Sequence, residues 1–468
     1  MKRPLLLILL LALPPGLLFS QTFPTGAILD AARYDSLPRK AVQVSRAYTA
    51  IPKMVSLKSY APDPGNQGSY GTCVGWSSAY AARTMLESLV LDRNDRRRTT
   101  EEVFSPIFIY KSASGDPTGQ EGMVISDALD FMRNEGAVKR LNREQSLDFK
   151  EINLSMYSGS RRYPIAGYAT LYQSHGGIGT GDLERIKMVK KSLAERKPVI
   201  IGMNTPPSFK CYGQNVWQPH ENAAQFYSGH AMCVVGYDDA QYGGAFEVQN
   251  SWGEDWGNSG YIWIPYEVFS RFAYHAYEII ENLAAYQTVE FAGTVQIELD
   301  NNDQGMPVHF RDGYYQTTSA YPSGTEFRYL LGNTKPAYVY AFAADEATAN
   351  TTQIFPPEGS NVSPVLDYTE NLVAFPGERI WVRMDNTPGT DYLVVLYAKQ
   401  ELDLRAIRNR FSQTWGRGSF PDRVAQAVGP DFIPPQEAGY DASAMKFSAS
   451  STNPKAVFGL LLAISHHR

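Results

Sequence analysis

Residues 66–76 read NQGSYGTCVGW, and this stretch decides the fold. A loop of small and polar residues delivers Cys73 directly ahead of a pattern that predicts a helix over Ser77 to Leu91. The first N–H groups of a helix lack intrahelical partners and carry partial positive charge, which favours a thiolate beside them. Six residues earlier, Gln67 offers an uncharged amide donor for a developing oxyanion. A thiol nucleophile with its own donor is half of an acyl-transfer site.

The complementary half lies downstream. Ser228-Gly229-His230 precedes AMCVVGYDD, an apolar run closed by a turn, which sets His230 at the start of a buried strand. Residues 246–264, FEVQNSWGEDWGNSGYIWI, then place Asn250 at the end of a second strand, ahead of Trp252, Trp256 and three spaced glycines. The order Cys, His, Asn with these flanks resembles the papain-like cysteine peptidases. The resemblance implies that Cys73 is the nucleophile, that His230 is its base, and that Asn250 orients the imidazole. It also implies that Gln67 and the Cys73 N–H form the oxyanion hole. Trp252 would shield the His230–Asn250 hydrogen bond from water, and Gly122 and Met123 resemble the segment that lines the family's substrate groove. The implied chemistry is attack by an imidazolium-paired thiolate, a thioester acyl-enzyme, then hydrolysis, with no cofactor and no metal.

The chain departs from that pattern in places. The family carries a structural cysteine where Tyr70 stands and a tryptophan after the nucleophile where Val74 stands. The usual disulfide beside the site is therefore expected to be absent, with no catalytic group removed. The interval from Cys73 to His230 exceeds the roughly 130–150 residues usual for the family, and an insertion around Lys210 to Ala224 accounts for the excess. The resemblance covers Leu57 to Pro265, a little under half of the chain. Singly, a cysteine at a helix start is more often a small buried hydrophobe than a nucleophile. A lone histidine before a strand and a lone asparagine in a turn are equally ordinary. All these bland readings must hold together, in this order and with Gln67 at this offset, before the site is dismissed.

Composition adds limits. The 468 residues suffice for two or three domains with real cores. A net charge of −5 gives no reason to expect a nucleic-acid partner, and the basic runs at Arg96–Arg98 and Lys187–Lys191 are short enough to be solvated helix faces. The opening residues, MKRPLLLILLLALPPGLLFSQ, have the shape of a secretory signal over 1–20, too short and too interrupted for a membrane span. The expectation is an exported protein, periplasmic or extracellular, with no transmembrane anchor after signal removal. Only three cysteines are present, so the chain is no disulfide scaffold. Cys211 and Cys233 either pair or remain two independently buried thiols.

The expected architecture is α+β. Residues 21–52 form an N-terminal extension, read as a short pro-segment or a strand that wraps the domain. They are too few for the long inhibitory propeptide common in the family. Residues 53–285 form a papain-like unit of two subdomains, helical first and β second. Residues 286–468 form a separate β-rich accessory domain, with short β-prone runs such as Val289–Leu299 and Leu393–Tyr397, one amphipathic helix from Asp403 to about Val424, and a closing buried strand at Ala456–Ile464. The glycine-rich run Gly176–Gly181 lacks the Lys-Ser/Thr pair of a phosphate loop and reads as a connector. His220 and His230 do not have metal-ligand spacing. The expected function is hydrolysis of polypeptides, with a protein or cell-envelope partner for the second half. The alternative is a non-catalytic binding or scaffold protein, or a transpeptidase, on the same fold.

Overall fold

The structure, a computed structural model, describes residues 23–141, 148–174, 181–210, 213–281, 289–300, 305–346 and 348–468. The signal-like segment, most of the Gly176–Gly181 run, Cys211 and the expected boundary near 285 lie outside the described residues.

The first half builds around one long helix. It begins as α-helix at Cys73–Gly75, continues as π-helix over Trp76–Arg83 and returns to α over Thr84–Val90. It starts four residues earlier than the sequence pattern predicts, because the first turn is Cys73, Val74 and Gly75, all buried. Gly75 is needed there: a Cβ would come within 2.3 Å of the Pro106 carbonyl. Helices Pro106–Ser114 and Ile125–Asn134 pack beside it. Ser105 and proline at the first turn start the former, and Gly115 in the left-handed region ends it.

A seven-stranded sheet forms the other side. Its order is Gly167–Thr170, Ala273–Ile280, Val199–Asn204, Gly229–Asp238, Ala245–Gln249 and Tyr261–Pro265, with Met54–Ser56 also paired to Gly229–Asp238. Val199–Asn204 is buried at every position, as expected of a central strand covered on both faces. Helices and sheet share one hydrophobic core that contains Cys73, Trp76, Met203, Cys233 and Trp252. His230 is the second residue of the buried strand Gly229–Asp238, at its start as the sequence pattern sets it.

The second half is a sandwich. An eight-stranded sheet is centred on Gly389–Ala398 and Val457–His467, and it faces a six-stranded sheet centred on Val289–Leu299 and Glu326–Asn333. Alternation along Gly389–Ala398 explains how one sheet serves two cores. Leu393, Val395 and Tyr397 enter the core between the sheets. Val394, Leu396 and Ala398 enter a second core under two helices. The closing apolar run is therefore a central strand. The single helix expected from Asp403 is two, Leu404–Gln413 and Phe420–Val428. Gly416 and Gly418 take positive φ between them, and Ser419 with Asp422 forms a capping box that restarts the helix. Among the described residues, no helix is long and apolar enough to cross a membrane.

Candidate active site

The sheet and the long helix bring Cys73, His230 and Asn250 to one place. Cys73 opens the helix, and His230 stands on the strand that packs against the helix start. Asn250 follows the strand Ala245–Gln249 directly, on the neighbouring ladder. His230 Nε2 and Asn250 Oδ1 are 2.7 Å apart. The Asn250 oxygen also accepts the Ser251 N–H at 2.8 Å, so the ring nitrogen facing it is the donor. That tautomer leaves Nδ1 as the acceptor. Nδ1 is buried and has no hydrogen-bond partner among the described residues. Trp252 stacks on the imidazole, centroids 4.5 Å apart, with Phe209 and Trp256 behind it. This aromatic wall keeps water from the His230–Asn250 pair.

Gln67 is held on three sides. Its Oε1 accepts the Ser251 hydroxyl at 2.7 Å, while Nε2 donates to the carbonyls of Tyr70 (2.7 Å) and Pro24 (3.2 Å). Ser251 was not singled out in the sequence, although its place between Asn250 and Trp252 was the available signal. Tyr70, standing where the resemblance calls for a cysteine, stacks on Phe149 at 4.6 Å. Ring packing thus helps hold the loop where a disulfide would be expected.

The opposite wall is Gly122 and Met123. Asp116 organises the turn before it, accepting from Thr118, Gln120, Glu121 and the Tyr110 hydroxyl. Burial alone would raise the Asp116 pKa, but these hydrogen bonds hold it well below the carboxylate range.

The cleft between the walls is filled by the chain's own residues 23–29. The Pro24 carbonyl accepts from Gln67 Nε2 and from Trp252 Nε1 (3.0 Å). Gly26 and Ala27 both donate to the Gly229 carbonyl, at 3.2 and 3.0 Å. Met123 N–H donates to Gly26 O at 2.8 Å and Ile28 N–H donates to Met123 O at 3.0 Å. The approach is close enough to require glycine on both sides. A Cβ on Gly26 would lie 2.0 Å from Gly71 O, and one on Gly229 would lie 1.9 Å from Ala27 O. Leu29 fills the space above Gly202, beside Ile125 and His275. The segment that the sequence reads as a pro-segment or wrapping strand therefore occupies the groove that Gly122 and Met123 line.

Occupation sets the electrostatics. Cys73 and His230 are each 0% exposed. Burial pushes the Cys73 thiol up to about 11, against the N–H groups of Ala231, Gly26, Val74 and Cys73 itself, which draw it down. Burial pulls His230 down to about 4, against its bond to Asn250. The acidified thiol expected from the helix start is thus overturned in this conformation, because desolvation outweighs the helix N–H groups. The pair is neutral thiol and neutral imidazole.

Of the remaining residues, Cys233 is a buried thiol 3.8 Å from the Val234 carbonyl. His220 is exposed and lies beside Glu221. Among the described residues, no group of histidine, cysteine and carboxylate side chains is placed to hold a metal.

Residues 64–281 match the family described as papain family cysteine protease. Cysteine proteinase 3 of Entamoeba histolytica is 25% identical over 235 residues, spanning 48% of this chain and 67% of that protein. Cathepsin K of Mus musculus is 25% identical over 206 residues, spanning 44% of this chain and 56% of its own length. The chain therefore spans between about half and two thirds of these relatives. Among solved structures, xylellain, a cysteine protease from Xylella fastidiosa, is similar at 21% identity and a TM-score of 0.42, covering 55% of this chain and 96% of that one.

Proposed function

We propose, from the premise that residues 64–281 are a papain-family cysteine protease domain, that the chain hydrolyses polypeptides through Cys73, His230, Asn250 and Gln67. The observation that carries the assignment of roles is the His230–Asn250 pair. Its tautomer directs the proton to Asn250 and leaves Nδ1 free to take one from a thiol. Thiol and imidazole become thiolate and imidazolium once water or substrate replaces the burial that now holds both neutral. The thiolate attacks the scissile carbonyl, His230 protonates the leaving amine, and water then opens the thioester. Gln67 Nε2, which now donates to the Pro24 carbonyl, turns its donor to the oxyanion in the transition state. Trp252, Gly122 and Met123 form the groove walls.

With residues 23–29 in the groove, the intact chain is a latent form, and the extension 21–52 acts as a short pro-segment. Export through the signal-like opening segment is part of this reading, since a latent protease is suited to synthesis before delivery. The test uses the full chain with Gly26→Val. The added side chain has no room against Gly71 and expels the segment. That variant is expected to cleave an unfolded polypeptide and to lose the activity on adding Cys73→Ala. A chain with an open cleft and no hydrolysis would instead favour a binding role for the fold.

A further inference from the structure

Residues 35–45, the continuation of the segment in the cleft, run into the seam between the two halves. Arg39 pairs on one side with Thr170, at the edge of the first-half sheet, and on the other with residues 361–363. The Thr170 N–H donates to Pro38 O (2.9 Å) and the Lys40 N–H to Thr170 O (2.8 Å). The Arg39 N–H donates to Asn361 O (2.7 Å), and Ser363 N–H donates to Arg39 O (2.7 Å). Asn361 Nδ2 holds the carbonyls of Asp35 (2.7 Å) and Leu37 (2.8 Å). The Val44 N–H donates to Leu372 O at 2.9 Å, and the Leu372 N–H donates to Gln43 Oε1 at 2.6 Å. Ala41 belongs to the core between the two sheets of the sandwich.

A buried ionic cluster closes the seam. Lys40, 2% exposed, pairs with Glu278 of the first half (2.5 Å) and with Asp367 of the second. Lys197 pairs with the same two carboxylates. The second Glu278 oxygen accepts the hydroxyls of Ser192 (2.6 Å) and Tyr368 (3.0 Å). Two lysines face two carboxylates, so the cluster is neutral and its acceptors are satisfied.

We propose that the C-terminal half is an inhibitory clasp, which grips residues 35–45 and so keeps residues 23–29 in the cleft. This rests on the reading of the Cys73 cleft as the active site, and it gives the accessory half a function. The plug meets the cleft through main-chain hydrogen bonds and through two side chains, Phe23 on Trp252 (5.0 Å between ring centroids) and Leu29 over Gly202, all of them non-covalent. Tethering gives such a contact a high local concentration. The tether is short and stiff: the helix Ala31–Ser36, capped by Asp30, fills most of the interval between Leu29 and the clasp. Tyr34 of that helix also stacks on His275 (4.1 Å) and bonds Ala276, so release of the clasp removes one of two holds on the plug, without any cut in the chain.

The full chain tests this through thiol access, which does not depend on catalysis. Lys40→Met combined with Asp367→Asn removes one charge of each sign and leaves Lys197 facing Glu278. Asn361→Ala removes two grips on the main chain and touches no charge. The readouts are hydrogen exchange of residues 38–45 and the rate at which iodoacetamide labels Cys73, resolved by peptide. The double variant is expected to speed exchange in the segment and to raise Cys73 labelling at least tenfold, with Asn361→Ala giving a smaller rise in both. Faster exchange with Cys73 labelling at the wild-type rate overturns the clasp, because the stacking of Tyr34 on His275 (4.1 Å between centroids) would then hold the plug unaided. Unchanged exchange in both variants overturns it as well, since these contacts would then carry no grip. Should the double variant lose its cooperative melt, Asn361→Ala decides alone. A chain opened by Gly26→Val that labels at Cys73 yet cleaves no peptide leaves the clasp intact and refutes the protease reading instead.

Discussion

Two buried polar clusters bracket the same N-terminal segment, and they are built in opposite ways. In the cleft, His230 Nδ1 and Asn250 Nδ2 have no hydrogen-bond partner among the described residues, and burial keeps Cys73 and His230 uncharged. In the seam, each of the four charged groups has two ionic partners of opposite sign, and Ser192 and Tyr368 complete Glu278. A buried polar atom without a partner costs about 1–3 kcal/mol. Folds keep such atoms where another molecule will use them. The cleft thus keeps one acceptor and one donor unpaired among the described residues, while the charged groups of the seam are fully paired. If that contrast is right, changes in the cleft should alter rates with little effect on stability, and changes in the seam should lower stability and open the cleft together.

The largest effect is expected at Cys73, the proposed nucleophile. In a chain opened by Gly26→Val, Cys73→Ala should lower hydrolysis by at least about 10³-fold, since only binding and oxyanion stabilisation would remain. The melting temperature should stay close to that of the opened parent, because alanine fills a fully buried small site with little cavity. A loss of rate that tracked a loss of melting temperature would make Cys73 a core residue and erase the contrast. Next in size is Gln67→Ala, with a fall of roughly 10²-fold in kcat for one oxyanion donor. Gln67 also holds Tyr70 and Ser251, so the split matters: KM should move little. A rise in KM alone would mean that Gln67 only shapes the loop.

The seam should answer in the other currency. Lys40→Met alone leaves two buried carboxylates facing Lys197, and breaking a buried pair in this way costs about 3–5 kcal/mol. Thermal or denaturant melting should show the loss. The same cluster fixes a pH dependence. Burial would raise the Asp367 pKa, but Lys197 and Lys40 hold it down to about 2. A depressed carboxylate contributes stability above its unfolded value near 3.9, and this is lost as pH falls through the folded value. The melting temperature should therefore be insensitive to this group near neutrality and should fall between about pH 4 and 2. The acid loss should be smaller in Lys40→Met/Asp367→Asn. An equal acid loss in that variant would place the sensitivity elsewhere.

How far the sequence carried this picture depended on what kind of contact was involved. The order and flanks of Cys73, His230 and Asn250 were legible, because side chains of defined chemistry sit at fixed offsets from helix and strand starts. The run Leu393–Tyr397 was legible as β structure, though not as part of a strand with a core on each face. The occupant of the cleft was not legible. Residues 23–29 bind mostly through main-chain groups, which every sequence has, and only Gly26 hints at a close approach. Lys40 was equally opaque. In Pro-Arg-Lys-Ala it looks like a surface charge, and its partners Glu278 and Asp367 are brought to it by tertiary structure alone. The helix expected from Asp403 failed for a local reason that was readable in retrospect, since Gly416 and Gly418 flank Arg417 ahead of a capping serine.

The smallest effect tests whether the seam, and not general loosening of the second half, governs the cleft. Ser419 caps Phe420–Val428, and its hydroxyl and backbone N–H exchange hydrogen bonds with Asp422. That helix lies over the outer face of the eight-stranded sheet and shares a core with Val394 and Leu396, neither of which belongs to the seam. Removing the cap as Ser419→Ala should cost about 1 kcal/mol, visible in denaturant melting as a lower midpoint with the slope unchanged. Labelling of Cys73 should stay at the wild-type rate, because the contacts on Arg39, Lys40 and Val44 are untouched. A rise in labelling matching that of Asn361→Ala would show that any weakening of the sandwich opens the cleft. The control would then belong to the stability of the whole half and not to the grip on residues 35–45.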